Sequence, residues 1–346
     1  MTKQIAIYGC GNSGQKLAKN LQSAGVEVTC FIDQRAQQLK VVNSIPCIAP
    51  HEVSSVHEQI VLGFFNRDVS PRLIAEFLLS KGVKKVIGYH EVNKLLPGVV
   101  SPSFWYDSQV DLKNFQSEIE ELKSLFKDEE SLRVLNQILK YRQTGHVFDH
   151  IEGSGLQTQY FKNGNPEWLS RPNLTMVDCG AFDGDTIVGA IENQSNILRA
   201  FCFEPDQKNF TALLSNVKKQ DRIECYCIPC ATWNTEQVLY FSEGSGESSH
   251  LTNHSSLPVQ AISIDHFLGH SKYDFLKIDV EGADLDTLKG AAESIKALHP
   301  YIAVGIYHRP KDLWEIPLYI KRLNCNYSFS LRQHGHNLMD AVLYAH

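Results

Sequence analysis

The sequence predicts an α/β chain built from two unequal units, each with a largely parallel sheet, separated by a helical linker. Three observations predict it. Short β-prone runs alternate with helical runs in both halves of the chain. Two glycine-rich turns, at residues 9–14 and 180–186, each follow a strand-like run and open a helical one. Between them, residues 111–141 are dominated by Glu, Lys, Leu and Gln, with Leu122, Leu125, Phe126, Leu132, Leu135, Ile138 and Leu139 at helical intervals.

The first unit is read at residues 1–105. Residues 4–8 form a strand, and the turn Gly9-Cys10-Gly11-Asn12-Ser13-Gly14 follows. Residues 15–24 place Leu17, Ala18 and Leu21 on one helical face, and Gly25 ends that helix. A strand over 26–32 stops at Asp33, and strands over 59–63 and 85–88 flank a helix over 70–81. Pro97-Gly98 and Ser101-Pro102 close the unit. The linker, 106–150, holds two helices with a break near 127–129. They bridge the domains or pair two copies as a homodimer.

The second unit is read at 151–346. Its opening, to about 172, is polar and rich in Gly, Asn and Pro. Strands are expected over 174–178, 198–204, 223–230, 236–241, 261–263, 275–279 and 301–307. Helices are expected over 187–193, 209–217, 285–298 and 313–323. Residues 327–331 and 341–345 read as a closing antiparallel pair. The two units are not copies of each other.

Bulk properties set limits. At 346 residues the chain is too long for one small core. Both signs of charge are mixed and the net charge is −6, which argues against a general nucleic-acid binder. No apolar window is long enough to span a membrane. The opening MTKQIAIYGCG does not read as a secretory leader. Nine cysteines include Cys202, Cys225, Cys227 and Cys230, but no second matching pair completes a zinc ribbon. They are expected to be structural thiols in a reducing cytoplasm, and no metal is expected.

The first glycine turn fits G-x-G-x-x-G. Asp33 lies 24 residues after Gly9, near where a ribose-binding acid belongs. Gly9, Gly11, Asn12, Ser13, Gly14 and Asp33 therefore form a candidate site for NAD(P) or a nucleotide-sugar. The alternative is a scaffold or dimer role, because no second mononucleotide-binding half follows Gly63. No dehydrogenase-type Ser-Tyr-Lys arrangement follows either, since Tyr141-Arg142-Gln143 offers no Y-x-x-x-K.

The second turn differs. Asp178 ends a strand and precedes Gly180-Ala181-Phe182-Asp183-Gly184-Asp185-Thr186. Asp178 and Asp185 repel phosphate but favour an ammonium or sulfonium. Glu204 ends the next strand, 26 residues after Asp178, and its carboxylate suits both hydroxyls of a ribose. This is the layout of an S-adenosylmethionine site. Pro205, Asp206, Asn209 and Ala231 complete the candidate cofactor set. The plainer alternative is a set of capping and turn acids.

A polar cluster follows the strands expected over 275–279 and 301–307. Lys277, Asp279 and Glu281 alternate and are expected on one face. His308 follows the next strand. In a parallel sheet these strand ends share the ligand-binding edge. Asp279, Glu281 and His308 are the candidate catalytic groups, each a candidate general base. A structural histidine and a helix-start acid are the alternatives. His334 and His336 flank a glycine and read as exposed turn residues.

At this point a family resemblance is legible. Val177 to Thr186 and Phe203-Glu204-Pro205-Asp206 resemble the cofactor loops of FkbM-type methyltransferases. Leu276-Lys277-Ile278-Asp279-Val280-Glu281-Gly282-Ala283-Asp284 is similar to their most specific motif, as is Leu288-Lys289-Gly290-Ala291 after it. Ile306-Tyr307-His308, Asp312-Leu313-Trp314-Glu315-Ile316-Pro317 and the ending Val342-Leu343-Tyr344 are similar too. The resemblance covers about 155–346. Asp284 stands where the family more often has Glu, and Met339-Asp340-Ala341 where a Glu-Thr pair is commoner. It implies a class I methyltransferase fold with a seven-stranded, mostly parallel sheet and S-adenosyl-L-methionine as donor. It also implies O-methylation of a small polar acceptor, often sugar-containing. The N-terminal stretch resembles the smaller Rossmann-like domains of sugar-modifying enzymes. The competing reading is an NAD(P)-dependent or nucleotide-sugar enzyme, or a sensor, working through the N-terminal turn.

Overall fold

The computed structural model describes residues 4–100, 110–161, 170–242, 250–251, 257–323 and 326–346. The chain divides into two compact units. One comprises Met1–Asn114, Arg133–Gly153 and Gly335–Met339; the other comprises Phe115–Leu132, Ser154–His334 and Asp340–His346.

In the first unit six strands form one sheet: β1 (Gln4–Tyr8), β2 (Glu27–Ile32), β3 (Val41–Val42), β4 (Ile45–Ile48), β5 (Gln59–Leu62) and β6 (Lys85–Ile87). Their order is β3-β4-β2-β1-β5-β6, and only β3 runs antiparallel to its neighbour. Ile5, Ile7, Leu17, Leu21 and Phe31 fill one face, and Ala6, Ile32, Ile60 and Leu78 the other. Burial of both faces explains why these strands read as continuous apolar runs rather than alternating ones. Helix α1 (Asn12–Ser23) begins three residues before its expected start, inside the glycine turn. Helices α2 (Ala36–Leu39), α3 (Pro71–Ser80) and α4 (Tyr89–Leu95) complete the unit. Ser70 caps α3 by accepting the Leu73 N–H at 3.2 Å, with Pro71 at the first helical position.

Four of these elements, α2, β3, β4 and α4, were not expected. The β3–β4 hairpin turns through Asn43 and Ser44, both left-handed at φ 51° and 66°. That is the primed-turn geometry hairpins favour, but without the glycine that usually announces it. Helices α5 (Gln116–Leu125) and α6 (Glu129–Thr144) are interrupted at residues 126–128, close to the break expected near 127–129.

In the second unit the main sheet holds β7 (Leu174–Cys179), β8 (Ile197–Phe203), β9 (Glu224–Ile228), β14 (Phe275–Ile278), β15 (Tyr301–Gly305), β16 (Phe329–Gln333) and β17 (Ala341–Ala345). The order is β16-β17-β15-β14-β7-β8-β9. The five strands from β9 to β15 are mutually parallel, and β17 is antiparallel to both its neighbours. This is the expected seven-stranded, mostly parallel sheet. A small second sheet is made by β10 (Ala231–Thr232), β11 (Gln237–Ser242), β12 (His250–Leu251) and β13 (Leu257–Ile262). Helices α7 (Asp185–Glu192), α8 (Gln207–Val217), α9 (Ile264–Leu268), α10 (Asp284–Lys289), α11 (Ala292–Leu298) and α12 (Asp312–Leu323) connect the strands.

Both main sheets wind alike: the first parallel strand lies between the second and the fourth. The chain reverses its direction of winding beside β1 in one unit and beside β7 in the other. Such switch points are where open α/β sheets hold ligands, outside the carboxyl ends of the strands.

One expected element is corrected. The helix read over 285–298 is two helices, α10 and α11, separated at Gly290. A Cβ at Gly290 would overlap the Trp233 carbonyl oxygen. The Gly290 carbonyl also accepts the Asp265 N–H at 2.9 Å, and that bond competes with helix continuation. Gly290→Ala is therefore expected to lower unfolding stability by about 2–4 kcal/mol, because backbone must move. A denaturant midpoint equal to that of the unaltered protein would contradict this packing.

Candidate active site

The site grows from the carboxyl ends of β7, β8, β14 and β15. Asp178 of β7 stands opposite Lys277 of β14 in the parallel register. Their side chains meet in the sheet, with Lys277 Nζ 3.0 Å from Asp178 Oδ1 and both groups almost wholly buried. Lys277 also donates to the carbonyls of Cys179 and Gly180. Burial would depress the Lys277 ammonium, but Asp178, Asp279 and Asp185 raise it well above its ordinary value. Asp178 was expected to face a ligand's positive charge. It is fully buried, and its charge is taken by Lys277. Its place in the structure is under the turn, holding it to β14.

The turn itself is tight. Gly180 and Gly184 are left-handed at φ 78° and 90°, and Phe182, between them, is left-handed at φ 47° and exposed. A Cβ at Gly180 would overlap the Asp279 carbonyl oxygen, so only glycine lets the two loops close on each other. Ala181 and Thr186 are buried beneath the turn. Asp185 opens α7 and accepts the Thr186 N–H at 2.8 Å.

Glu204 follows β8 and is nearly buried. One carboxylate oxygen accepts the Phe182 N–H at 2.9 Å and the other the Asp206 N–H at 2.8 Å. Two backbone donors thus fix the plane of the carboxylate. Burial, against those bonds, pushes its pKa up to about 7. Pro205 continues this loop. Asp206 is the N-cap of α8, accepting the Lys208 and Asn209 N–H groups at 2.9 Å each. The capping reading therefore accounts for Asp206, and Asn209 sits in the first turn of that helix. Ala231 is buried in β10, parallel to Ala261.

Asp279, Glu281 and His308 do come together. β14 ends at Ile278, so Asp279 and Glu281 lie in the loop beyond it rather than on one strand face. Glu281 is left-handed at φ 53°, a strained conformation for a non-glycine residue. That strain turns its carboxylate to within 3.6 Å of His308 Nε2. Asp279 lies 3.2 Å from the same nitrogen. The hydroxyls of Tyr160 and Tyr307 donate to the two oxygens of Asp279 at 3.2 and 3.1 Å.

Asp284 completes the cluster. It is fully buried, accepts the Val280 and Gly282 N–H groups, and lies 2.9 Å from His308 Nδ1. His308 is itself fully buried with a carboxylate against each ring nitrogen. Burial would lower its pKa, but Asp284, Glu281 and Asp279 raise it to about 10. With its proton held in this way, His308 lies among three carboxylates. Asp279, Asp284 and His308 have ligand atoms within 4.8 Å of one another, the spacing of a metal site. The imidazolium supplies the positive charge there.

Glu281 is left as the group that titrates in reach of solvent. Burial, partly opposed by His308, raises it to about 8. Its Oε2 is buried without a hydrogen-bond donor among the described residues. Tyr160, Tyr307 and Asp284 were not singled out as site residues. Tyr160 falls in a stretch that reads as polar connection, and Tyr307 in a strand whose last residues leave the sheet after Gly305. Asp284 shows only as a departure from a motif.

In the first unit, Asp33 is already engaged. Its carboxylate accepts the Arg35 Nε–H at 2.9 Å and the Cys10 N–H at 3.0 Å. Burial would raise it, but Arg35 and Cys10 hold it below the usual carboxylate range. A ribose at this turn, beside Gly9, Gly11, Asn12, Ser13 and Gly14, would compete with Arg35 for Asp33.

A seven-stranded sheet of this order, with a glycine turn after its first strand and an acid after its second, is the class I methyltransferase fold. Residues 178–329 match the model of the methyltransferase FkbM domain. A methyltransferase FkbM from Methylobacillus flagellatus has a similar structure, with a TM-score of 0.78 and 21% identity over 99% of this chain and 90% of that one. A precorrin-6Y C5,15-methyltransferase from Geobacter metallireducens aligns with a TM-score of only 0.32 and 12% identity, over 52% of this chain and 83% of that one. No curated protein matches. No described helix is long and apolar enough to cross a membrane.

The His308 cluster carries a test of its own. The folded pKa of about 10 lies above the ordinary 6.5. The stability His308 contributes is therefore complete below about pH 6.5 and is lost as pH rises through about 10. In denaturant titrations the advantage over His308→Gln should shrink steadily across that window. A constant gap would mean the imidazole is neutral when folded.

Proposed function

We propose that the protein is an S-adenosyl-L-methionine-dependent O-methyltransferase acting on a hydroxyl of a polar, sugar-containing small molecule. The observation that carries the cofactor reading is Glu204. It is a buried acid in no ion pair among the described residues, its plane fixed by two backbone N–H groups beside a glycine turn. Such a carboxylate fits a ribose diol, whose hydroxyls donate to lone pairs the backbone leaves open. Phe182, exposed in the turn, offers an apolar surface at the same edge. When bound, the cofactor supplies an electrophilic methyl group on a sulfonium.

The acceptor chemistry rests on the cluster after β14 and β15. Glu281 takes the proton of the acceptor hydroxyl as the oxygen–methyl bond forms and the methyl–sulfur bond breaks. His308 and Asp284 keep Glu281 oriented, and the Tyr160 and Tyr307 hydroxyls hold Asp279 for a further hydrogen bond to a polyhydroxy acceptor. Holding reactants in line is the larger part of such catalysis, and the base adds to it. The eight described cysteines are all free, which supports a cytoplasmic setting.

Transfer of labelled methyl groups to a panel of sugar hydroxyl and amine acceptors tests this reading. Hydroxyl acceptors should be labelled, and labelling of amines alone would contradict it. With an active acceptor, kcat/KM should rise with pH as Glu281 ionises, with a midpoint near 8. Glu281→Gln should remove that limb and cost about 10²–10⁴-fold in kcat. An unchanged pH profile in the variant would exclude Glu281 as the base.

A further inference from the structure

We propose that His150, Glu152 and His336 form a binding site for a divalent transition metal of the zinc class. All three belong to the first unit, and none takes part in the site described above. One ligand atom from each lies within 4.8 Å of the other two. Two imidazoles and a carboxylate are a ligand set that zinc accepts with an open fourth position. Sequence offers little warning, because His336 lies 184 residues beyond Glu152. It reads as an exposed turn residue, yet its ring is only 20% exposed.

His150 supplies the independent sign of a ligand. Its side chain is fully buried, edge-on to the Tyr141 ring at 5.6 Å and 5.8 Å from the His336 ring. Among the described residues its Nδ1 is buried with no hydrogen-bond partner. Its Nε2 accepts only a long bond, 3.4 Å, from the Asn337 N–H. Buried ring nitrogens are ordinarily satisfied, so one that is not is conspicuous. Burial, helped by His336 and Arg72, holds His150 down at about 3, so it is neutral at physiological pH. A neutral imidazole is the form that binds metal.

The other two groups are already oriented. Glu152 Oε1 accepts the Ser70 hydroxyl at 2.8 Å, while Oε2 lies 3.4 Å from His336 Nδ1. Outer bonds of this kind aim a ligating carboxylate. The backbone of the His336 turn is pinned within the unit: its own N–H donates to the Arg67 carbonyl at 2.8 Å, and the Asn337 side chain donates to the Asn66 carbonyl. Tetrahedral ligands about 2.1 Å from zinc lie roughly 3.4 Å apart, a contraction from within 4.8 Å that small side-chain movements supply. Glu152 is exposed enough to move that far and to admit water at the fourth position.

The test uses the full chain, stripped with chelator, verified metal-free and titrated with zinc chloride by calorimetry. Cobalt(II), read by its visible absorption, reports the coordination. One zinc per chain is expected, with stoichiometric binding lost in both His336→Gln and Glu152→Gln and kept in Asp284→Asn. No stoichiometric zinc in the unaltered protein would overturn the proposal. So would binding that survives both substitutions, or that is lost in Asp284→Asn instead. If a variant fails to keep the far-UV circular dichroism of the parent, X-ray absorption of the zinc-loaded parent decides. Two imidazoles in the shell support the site, and a shell without them overturns it.

Discussion

The ammonium of Lys277 is buried in the middle of a parallel sheet, against the Asp178 carboxylate of the neighbouring strand and the carbonyls of Cys179 and Gly180. Removing either partner of such a pair leaves an uncompensated buried charge, a loss of about 3–5 kcal/mol. Much else depends on this contact. It draws the end of β7 against the end of β14 and sets the start of the turn that carries Gly180. With the turn in place, the Phe182 N–H can reach Glu204, and the loop beyond β14 can pass close enough to Gly180 that no side chain fits between them. The pair therefore acts on the cofactor turn through position rather than by touching a ligand.

A second constraint is electrostatic. Asp279, Glu281 and Asp284 crowd one imidazole, and like charges at this spacing cannot all remain ionised without compensation. His308 supplies one positive charge, and Asp284 shares it most closely while also accepting two backbone N–H groups. Glu281 receives least of that compensation, and burial raises it to about 8. One charged histidine thereby separates the roles of three acids: Asp284 holds the imidazole, Asp279 is fixed by two tyrosine hydroxyls, and Glu281 exchanges its proton near neutral pH.

The fold was largely legible in the sequence because its parallel strands are buried on both faces. Residues 301–305 are apolar throughout, and the glycine turns mark where helices begin. What escaped was set by contacts distant in sequence. The hairpin at Asn43-Ser44 uses left-handed residues other than glycine, and the kink at Gly290 exists because Trp233 packs against it. In the candidate site, Glu204 and the acid–histidine cluster could be picked out from spacing alone. The roles of Asp178 and His308 could not, because each depends on a partner on another strand. Lys277 faces Asp178 only once the register is fixed, and Asp284 reaches His308 only after the loop has turned through Glu281 and Gly282. Asp206 shows the opposite case, where helix capping explains a residue that spacing had assigned to a ligand.

The most direct measurement of the central claim is calorimetric titration with S-adenosylhomocysteine of the unaltered protein and of Glu204→Ala. Binding of about one equivalent per chain, weakened by roughly 1.5–3 kcal/mol in the variant, is the predicted result, because the ribose hydroxyls lose a charged acceptor. Equal affinity in the two proteins, or no binding by the unaltered one, would contradict the assignment of the turn after β7 and Glu204 as the cofactor site.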